Sequence, residues 1–209
     1  MSLKSKLVSS YLAFDDHLDD NSPIHDIRKK AIDTFEEKGF PTKKEEDWKY
    51  TSLNAIINKD YSISSKGDKE IKYEKVREYF LHDIDSYKVV FIDGVFSSFL
   101  SETSHDGLYV CLLSSVLSKE KYKAIIEAYY NKIASKDSIT SLNTAFAKEG
   151  AYINIPNNKE VDKPIEIINF STGNETALMM QPRNLIIVGE NAHVQIIERH
   201  QSLSDNAVF

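Results

Sequence analysis

Near Gly150 the chain changes its periodicity, and no single helical or all-β layer accommodates both sides of that change. Before Gly150, apolar side chains recur at the spacing of one helical face. After it they come in short β-branched runs cut by turn residues. The sequence therefore predicts an α+β chain, with an α-rich domain over 1–148 that carries a small β element and an all-β domain beginning at 149.

Leu3, Leu7, Tyr11, Phe14 and Leu18 form a first helical stripe. Ser22 and Pro23 read as N-cap and first helical position of a second helix over 23–38, carried by Ile24, Ile27, Ala31, Ile32 and Phe35 and closed by Gly39. GFPTKKEEDWKYTSL, at 39–53, combines a breaker, a Thr42 to Glu45 capping box and the aromatics Trp48 and Tyr50, and predicts a loop pinned to the core. A polar loop over 58–69 leads to a helix over 69–81, then to buried strands at 88–94 and 108–113. Helices over 118–133, with Tyr122, Ile125, Ile126, Tyr129 and Ile133 as its stripe, and 138–148 complete this part, with Gly150 as a C-cap.

Beyond Gly150, AYINI, PIEIINF, RNLIIVG and HVQIIERH are separated by the turn signals Pro156-Asn157-Asn158, Ser171-Thr172-Gly173-Asn174 and Gly189-Glu190-Asn191. Their spacing is irregular, so periodicity leaves a sandwich, a barrel and the first coils of a β-helix open. The apolar end DNAVF, at 205–209, has no terminating signal and predicts an all-β domain cut short.

A net charge of -6 and a pI near 5.6 give no basic footprint for nucleic acid, and no apolar stretch is long enough to span a bilayer. The expectation is a cytoplasmic protein with protein or small-molecule partners. Cys111 is the single cysteine, so this chain alone forms neither an internal disulfide nor a cysteine cage.

No Gly-rich phosphate loop, HExxH, CxxC or nucleophile elbow occurs, and the reading is that the chain is not an enzyme by itself. The histidines at 17, 25, 82, 105, 193 and 200 lack the three or four residue spacing that pairs ligands on a helix. Asp15, Asp16, Asp19 and Asp20 lack the glycine and terminal glutamate of a calcium loop, and read as a solvated face. Cys111 sits among apolar neighbours and reads as inert packing. Strand alternation places Glu198 and His200 on one face with Val194 and Ile196, and the role of the pair is left between a strand end entering solvent, a mutually satisfied pair, and a metal or proton site. No residue is assigned a catalytic, cofactor-binding or metal-binding role.

Two segments together resemble the SufD family, relatives of SufB in iron-sulfur cluster assembly. The first is Pro41, Glu46, Trp48, Lys49, Tyr50 and Thr51; the second is Lys163-Pro164-Ile165, then Pro182-Arg183 leading into a strand. The resemblance runs from about residue 23 to the end. It implies a helical N-terminal domain, a right-handed parallel β-helix, and C-terminal helices that bind the SufC ATPase, with SufB and SufD paired through their β-helices. It implies a scaffold role, SufB-like and SufC-like partners, and an iron-sulfur cluster and flavin only at the level of the assembled complex. No functional residue of the family falls on this sequence, and an open β-helix end offers an edge for self-association.

Two rival classes follow from the same residues. A free-standing interaction domain would present Trp48, Tyr50, Tyr129 and Tyr130 to a partner. A β-helical carbohydrate-active enzyme would need convergent carboxylates, for which Glu166 and Glu198 are few.

Overall fold

The computed structural model describes residues 1–15, 24–63, 71–102, 104–105, 108–133, 137–173 and 177–204. In chain order the helices are α1 (Leu3–Asp15), α2 (His25–Lys38), α3 (Asn54–Ile57), α4 (Tyr73–Val76), α5 (Leu113–Leu117), α6 (Lys123–Tyr129) and α7 (Ser138–Phe146). The strands are β1 (Tyr61–Ser62), β2 (Tyr87–Ile92), β3 (Val95–Phe96), β4 (Ser104–His105), β5 (Leu108–Leu112), β6 (Ala151–Ile155), β7 (Ile165–Ser171), β8 (Ala177–Leu178), β9 (Leu185–Val188) and β10 (Ile196–Ser202). They gather into two compact units, Met1–Asp60 with Ser115–Lys148, and Tyr61–Ser114 with Glu149–Phe209. The single boundary expected at 148/149 is thus replaced by an interleaved division. Residues 61–114 belong with the later strands because β2 pairs in parallel with β7.

The first unit follows the helical stripes closely in its early part. Leu7 and Tyr11 of α1 and Ile24, Ala31, Ile32 and Phe35 of the α2 stripe are buried. Gly39 takes φ 71 and donates its N–H to Phe35 O at 2.8 Å, a conformation in which a Cβ is costly. Tyr11 meets Phe146 of α7 edge-on at 5.8 Å between ring centroids. Asp137 caps α7, its Oδ1 accepting the Thr140 N–H at 2.8 Å, which contributes about 1 kcal/mol. The proposed N-cap at Ser22 and Pro23, like Leu18 and most of the early acidic cluster, lies outside the described residues.

The helix expected over 118–133 is shorter. A 3-10 turn over Glu120–Tyr122 runs into α6, which stops at Tyr129 because Tyr130 turns extended and buries its ring. Tyr129 and Ile133, read as part of the apolar stripe, are 53% and 99% exposed. The capping box survives as the Thr42 N–H donating to Glu45 Oε1 at 2.8 Å, ahead of a 3-10 turn over Glu46–Trp48. Trp48 is half-buried, but Tyr50 is 91% exposed and pins nothing.

The second unit contains two four-stranded sheets, ordered β10-β7-β2-β3 and β4-β5-β6-β9, and a short parallel pair, β1-β8. All seven residues of β7 are buried. Ile165 and Ile167 enter one core with Val89, Phe91, Ala151, Ile153 and Ile155, so this core joins the two sheets. Ile168 and Phe170 point the other way, into a second core with Val90, Ile92, Val76 and Phe80. The helix expected over 69–81 supplies that second cover as one turn, α4, followed by a 3-10 turn over Arg77–Tyr79; residues 64–70 lie outside the described ones. The strand expected at 88–94 ends at Ile92 and reverses through Asp93 and Gly94, with φ of 50 and 78, into β3. Asp93 is buried and accepts the Thr172 N–H at 2.9 Å and the Thr172 hydroxyl at 2.6 Å.

The later strands lie on one another in the same sense. β9 pairs in parallel with β6, Tyr152 beside Leu185, and β10 with β7, Ile165 beside Ile196. Asn191 Nδ2 donates to Asn158 Oδ1 at 3.3 Å, and both asparagines take left-handed φ values of 54 and 59, which this residue type tolerates. Such side-chain ladders reinforce stacked parallel strands.

Gly150 is required for a reason unlike the expected C-cap. A Cβ there would lie 1.7 Å from Arg183 O, so the segment preceding β6 lets the segment preceding β9 approach only without a side chain. Gly150→Ala is therefore expected to destabilise the chain by about 3 kcal/mol, at the upper end of overpacking costs. Urea denaturation followed by circular dichroism measures this, and a change below about 0.5 kcal/mol would contradict the close approach.

Candidate functional site

Sheet β10-β7-β2-β3 carries polar chemistry on both faces along β7 and β10. On one face Glu166 is fully buried, its Oε1 accepting from Arg199 Nη1 at 2.9 Å and its Oε2 from the Ser86 hydroxyl at 3.1 Å. Arg199 Nη1 also donates to Tyr79 O at 2.5 Å, tying the 3-10 turn to β10. Register alternation built this arrangement: Glu166 lies beside Ile197 and Arg199 beside Ile168, so the two charges reach each other diagonally across adjacent strands. A charge this deeply buried persists because a partner and further hydrogen bonds satisfy it.

The opposite face carries the polar pair singled out by sequence. Glu198 lies beside Ile167 and His200 beside Asn169, so both share the face that carries Ile165 and Ile167 into the inter-sheet core. His200 Nε2 stands 3.6 Å from Glu198 Oε1, with side chains 46% and 43% exposed. Asn184 bridges from the other sheet: its Oδ1 accepts the Ala151 N–H at 2.8 Å, and its Nδ2 donates to Glu198 Oε1 at 3.1 Å. The backbone bond settles which way the Asn184 amide points. Asn169, 5% exposed, keeps its Nδ2 without a hydrogen-bond partner. Sequence reasoning found Glu198 and His200 by alternation; Asn169 and Asn184 gave no signal, since their roles come from pairing with strands elsewhere in the chain.

Other candidates do not join this group. Glu166 and Glu198 occupy opposite faces of one sheet, so they do not converge as a pair of catalytic carboxylates. His193 forms an isolated parallel bridge with Glu160 and is exposed. His17 lies outside the described residues; His25, His82 and His105 sit on α2, a loop and β4. Among the described residues no three His, Cys, Asp or Glu side chains cluster as metal ligands. Cys111 on β5 is half-buried rather than fully buried, and its thiol donates to Leu112 O at 3.6 Å. Of the aromatics read as a partner surface, Tyr130 is a core residue at 2% exposure.

A third polar group surrounds Lys163. Tyr87 donates its hydroxyl to Asp162 Oδ1 at 2.8 Å, and Lys163 Nζ lies 2.6 Å from Asp85. The Tyr87 hydrogen bond holds the Asp162 carboxyl below the usual aspartate range, and the same bond raises the Tyr87 phenol.

Known proteins are similar to most of this chain. Residues 1–167 match the model described as "SufBD protein N-terminal region". An iron-sulfur cluster assembly SufBD family protein of Synechocystis is 26% identical over 188 residues, covering 90% of this chain and 41% of that protein. The iron-sulfur cluster assembly protein SufD of Escherichia coli is 25% identical over 173 residues, covering 82% of this chain and 38% of that protein. An iron-sulfur cluster assembly SufBD family protein of Guillardia theta is 25% identical, over 84% of this chain and 29% of its own length. The chain thus spans less than half the length of these relatives.

Two outcomes follow from the site. Arg199→Met leaves Glu166 buried without its cation and is expected to cost about 3–5 kcal/mol, whereas the double change with Glu166→Leu recovers most of it. Denaturant unfolding of the double-mutant cycle measures this, and purely additive losses would refute the pairing. Asp162, with its folded pKa depressed, contributes stability that is complete above the ordinary aspartate value of about 3.9 and is lost as pH falls through the folded value. Tyr87→Phe is expected to move the Asp162 carboxyl titration upward in carbon-13 NMR; an unchanged midpoint would rule out the hydroxyl as the cause.

Proposed function

The chain belongs to the SufBD family, whose N-terminal region it carries, and on that premise we propose that it is a SufD-like, non-catalytic scaffold subunit of iron-sulfur cluster assembly. The observation that carries this reading is the family match over residues 1–167, which takes in parts of both compact units. The names of the relatives from Synechocystis and Escherichia coli place those proteins in cluster assembly. In this reading a SufB-like protein and a SufC-like ATPase are the partners. The cluster and any flavin belong to the assembled complex, and the protein works in the cytoplasm; no described helix is long and apolar enough to cross a membrane.

The fold proposal accompanies it. We read the stacking of β6 on β9 and of β7 on β10 as two successive turns of a parallel β-helix. Same-sense pairing in both sheets, the Asn158 to Asn191 ladder and the parallel Glu160 to His193 bridge all support this. The half-exposed Ile186 and Val188, which lie beside Ile153 and Ile155, then mark an open rung. An interaction domain unrelated to metal is the second reading, favoured by Tyr50 and Tyr129 at 91% and 53% exposure.

The test is co-expression with SufB-like and SufC-like proteins, with affinity capture and anaerobic iron and sulfide analysis, and a full-length SufD captured in parallel. Recovery of either partner with this chain is expected. Failure of this chain where the full-length control succeeds would place the partner surfaces outside it and sink the scaffold reading for this chain.

A further inference from the structure

We propose that Glu198 and His200 form a binding site for a divalent cation of the zinc class, held at the polar margin of the inter-sheet core. The two donor atoms already stand at a metal's bite. An ion about 2.0–2.2 Å from one nitrogen and one carboxylate oxygen in tetrahedral geometry separates those donors by roughly 3.4 Å, and His200 Nε2 lies 3.6 Å from Glu198 Oε1. Both side chains are rooted on one face of β10 by the parallel register with β7, so the strand backbone fixes their spacing.

The surroundings orient this pair as outer partners orient metal ligands. Asn184 is locked by the Ala151 N–H and presents its Nδ2 to Glu198 Oε1 at 3.1 Å, holding the carboxylate from across the core. Asn169 is the independent observation. It is 5% exposed, its Nδ2 lacks a hydrogen-bond partner, and it lies in register beside His200 on the same face. A buried amide donor without an acceptor is costly, and a water bound to a cation at His200 supplies the missing oxygen. Imidazole with carboxylate selects a borderline first-row ion, whereas calcium and magnesium prefer oxygen donors alone. The chain provides two ligands, in keeping with the lack of any described cluster of three, and water or another chain completes the shell. Glu166 and Arg199, on the opposite face, satisfy each other and take no part. This inference is independent of the scaffold reading, because it rests on four side chains and their register.

The experiment titrates the full chain with Zn²⁺ at neutral pH and follows the imidazole resonances of all six histidines by proton–nitrogen NMR, assigned by through-bond correlation to the backbone. The His200 ring is expected to shift and saturate at one equivalent, with Glu198→Gln weakening the Kd by about tenfold or more. An unmoved His200 ring, parallel shifts of all histidines, or an unchanged Kd in Glu198→Gln would each overturn the site. Both ligands are partly exposed, so their replacement removes little packing, and the titration of the unaltered chain decides the matter even where a variant does not fold.

Discussion

The second unit depends on the parallel pairing of β7 with β2 on one side and β10 on the other. Its seven residues are all buried, so every side chain must find a partner on one face or the other. Apolar residues do this through two cores that share the strand: Ile165 and Ile167 on one side, Ile168 and Phe170 on the other. Burial of a single such isoleucine stabilises by about 1.5–3 kcal/mol, and the effect repeats along the strand. A register slip of one residue would exchange the two faces at once, which is why the pairing is so strictly specified.

The two polar residues of β7 show what this constraint does to chemistry. Glu166 falls on the face covered by the 73–80 segment, where Arg199 balances its charge and the Ser86 hydroxyl donates a hydrogen bond to it. Asn169 falls on the inter-sheet face, where its neighbour in register is His200. The same strand therefore carries a closed ion pair on one side and a half-open polar group on the other. The closed pair is a structural device; on the other side the Asn169 Nδ2 lacks a hydrogen-bond partner.

Much of the fold was legible in residues 24–39 and 151–200. The stripe from Ile24 to Phe35 and the glycine at 39 identify α2, since packing and capping there are local. The runs AYINI and PIEIINF identify β6 and β7 because β-branched residues recur there without helical spacing. What misled is equally specific. Tyr129 and Ile133 continue a helical spacing in a segment whose helix ends at Tyr129, so periodicity counted residues that the backbone releases to solvent. Gly150 looked like a helix stop because a cap and a close approach ask for the same residue. The Asp137 cap passed unnoticed beside Ser138.

The sequence by itself determined the local elements, the division between helical and strand periodicity, the family resemblance and the shared face of Glu198 and His200, since each depends on neighbours within a few positions. Tertiary structure alone decided that residues 61–114 join the later strands, that Arg199 meets Glu166, and that Asn169 and Asn184 surround the open pair. These depend on pairing between residues distant in sequence, 33 positions for Asn184 with Ala151 and for Arg199 with Glu166, and 14 for Asn184 with Glu198. No local pattern encodes such a distance, because β-pairing is selected by the burial it achieves across the whole sheet.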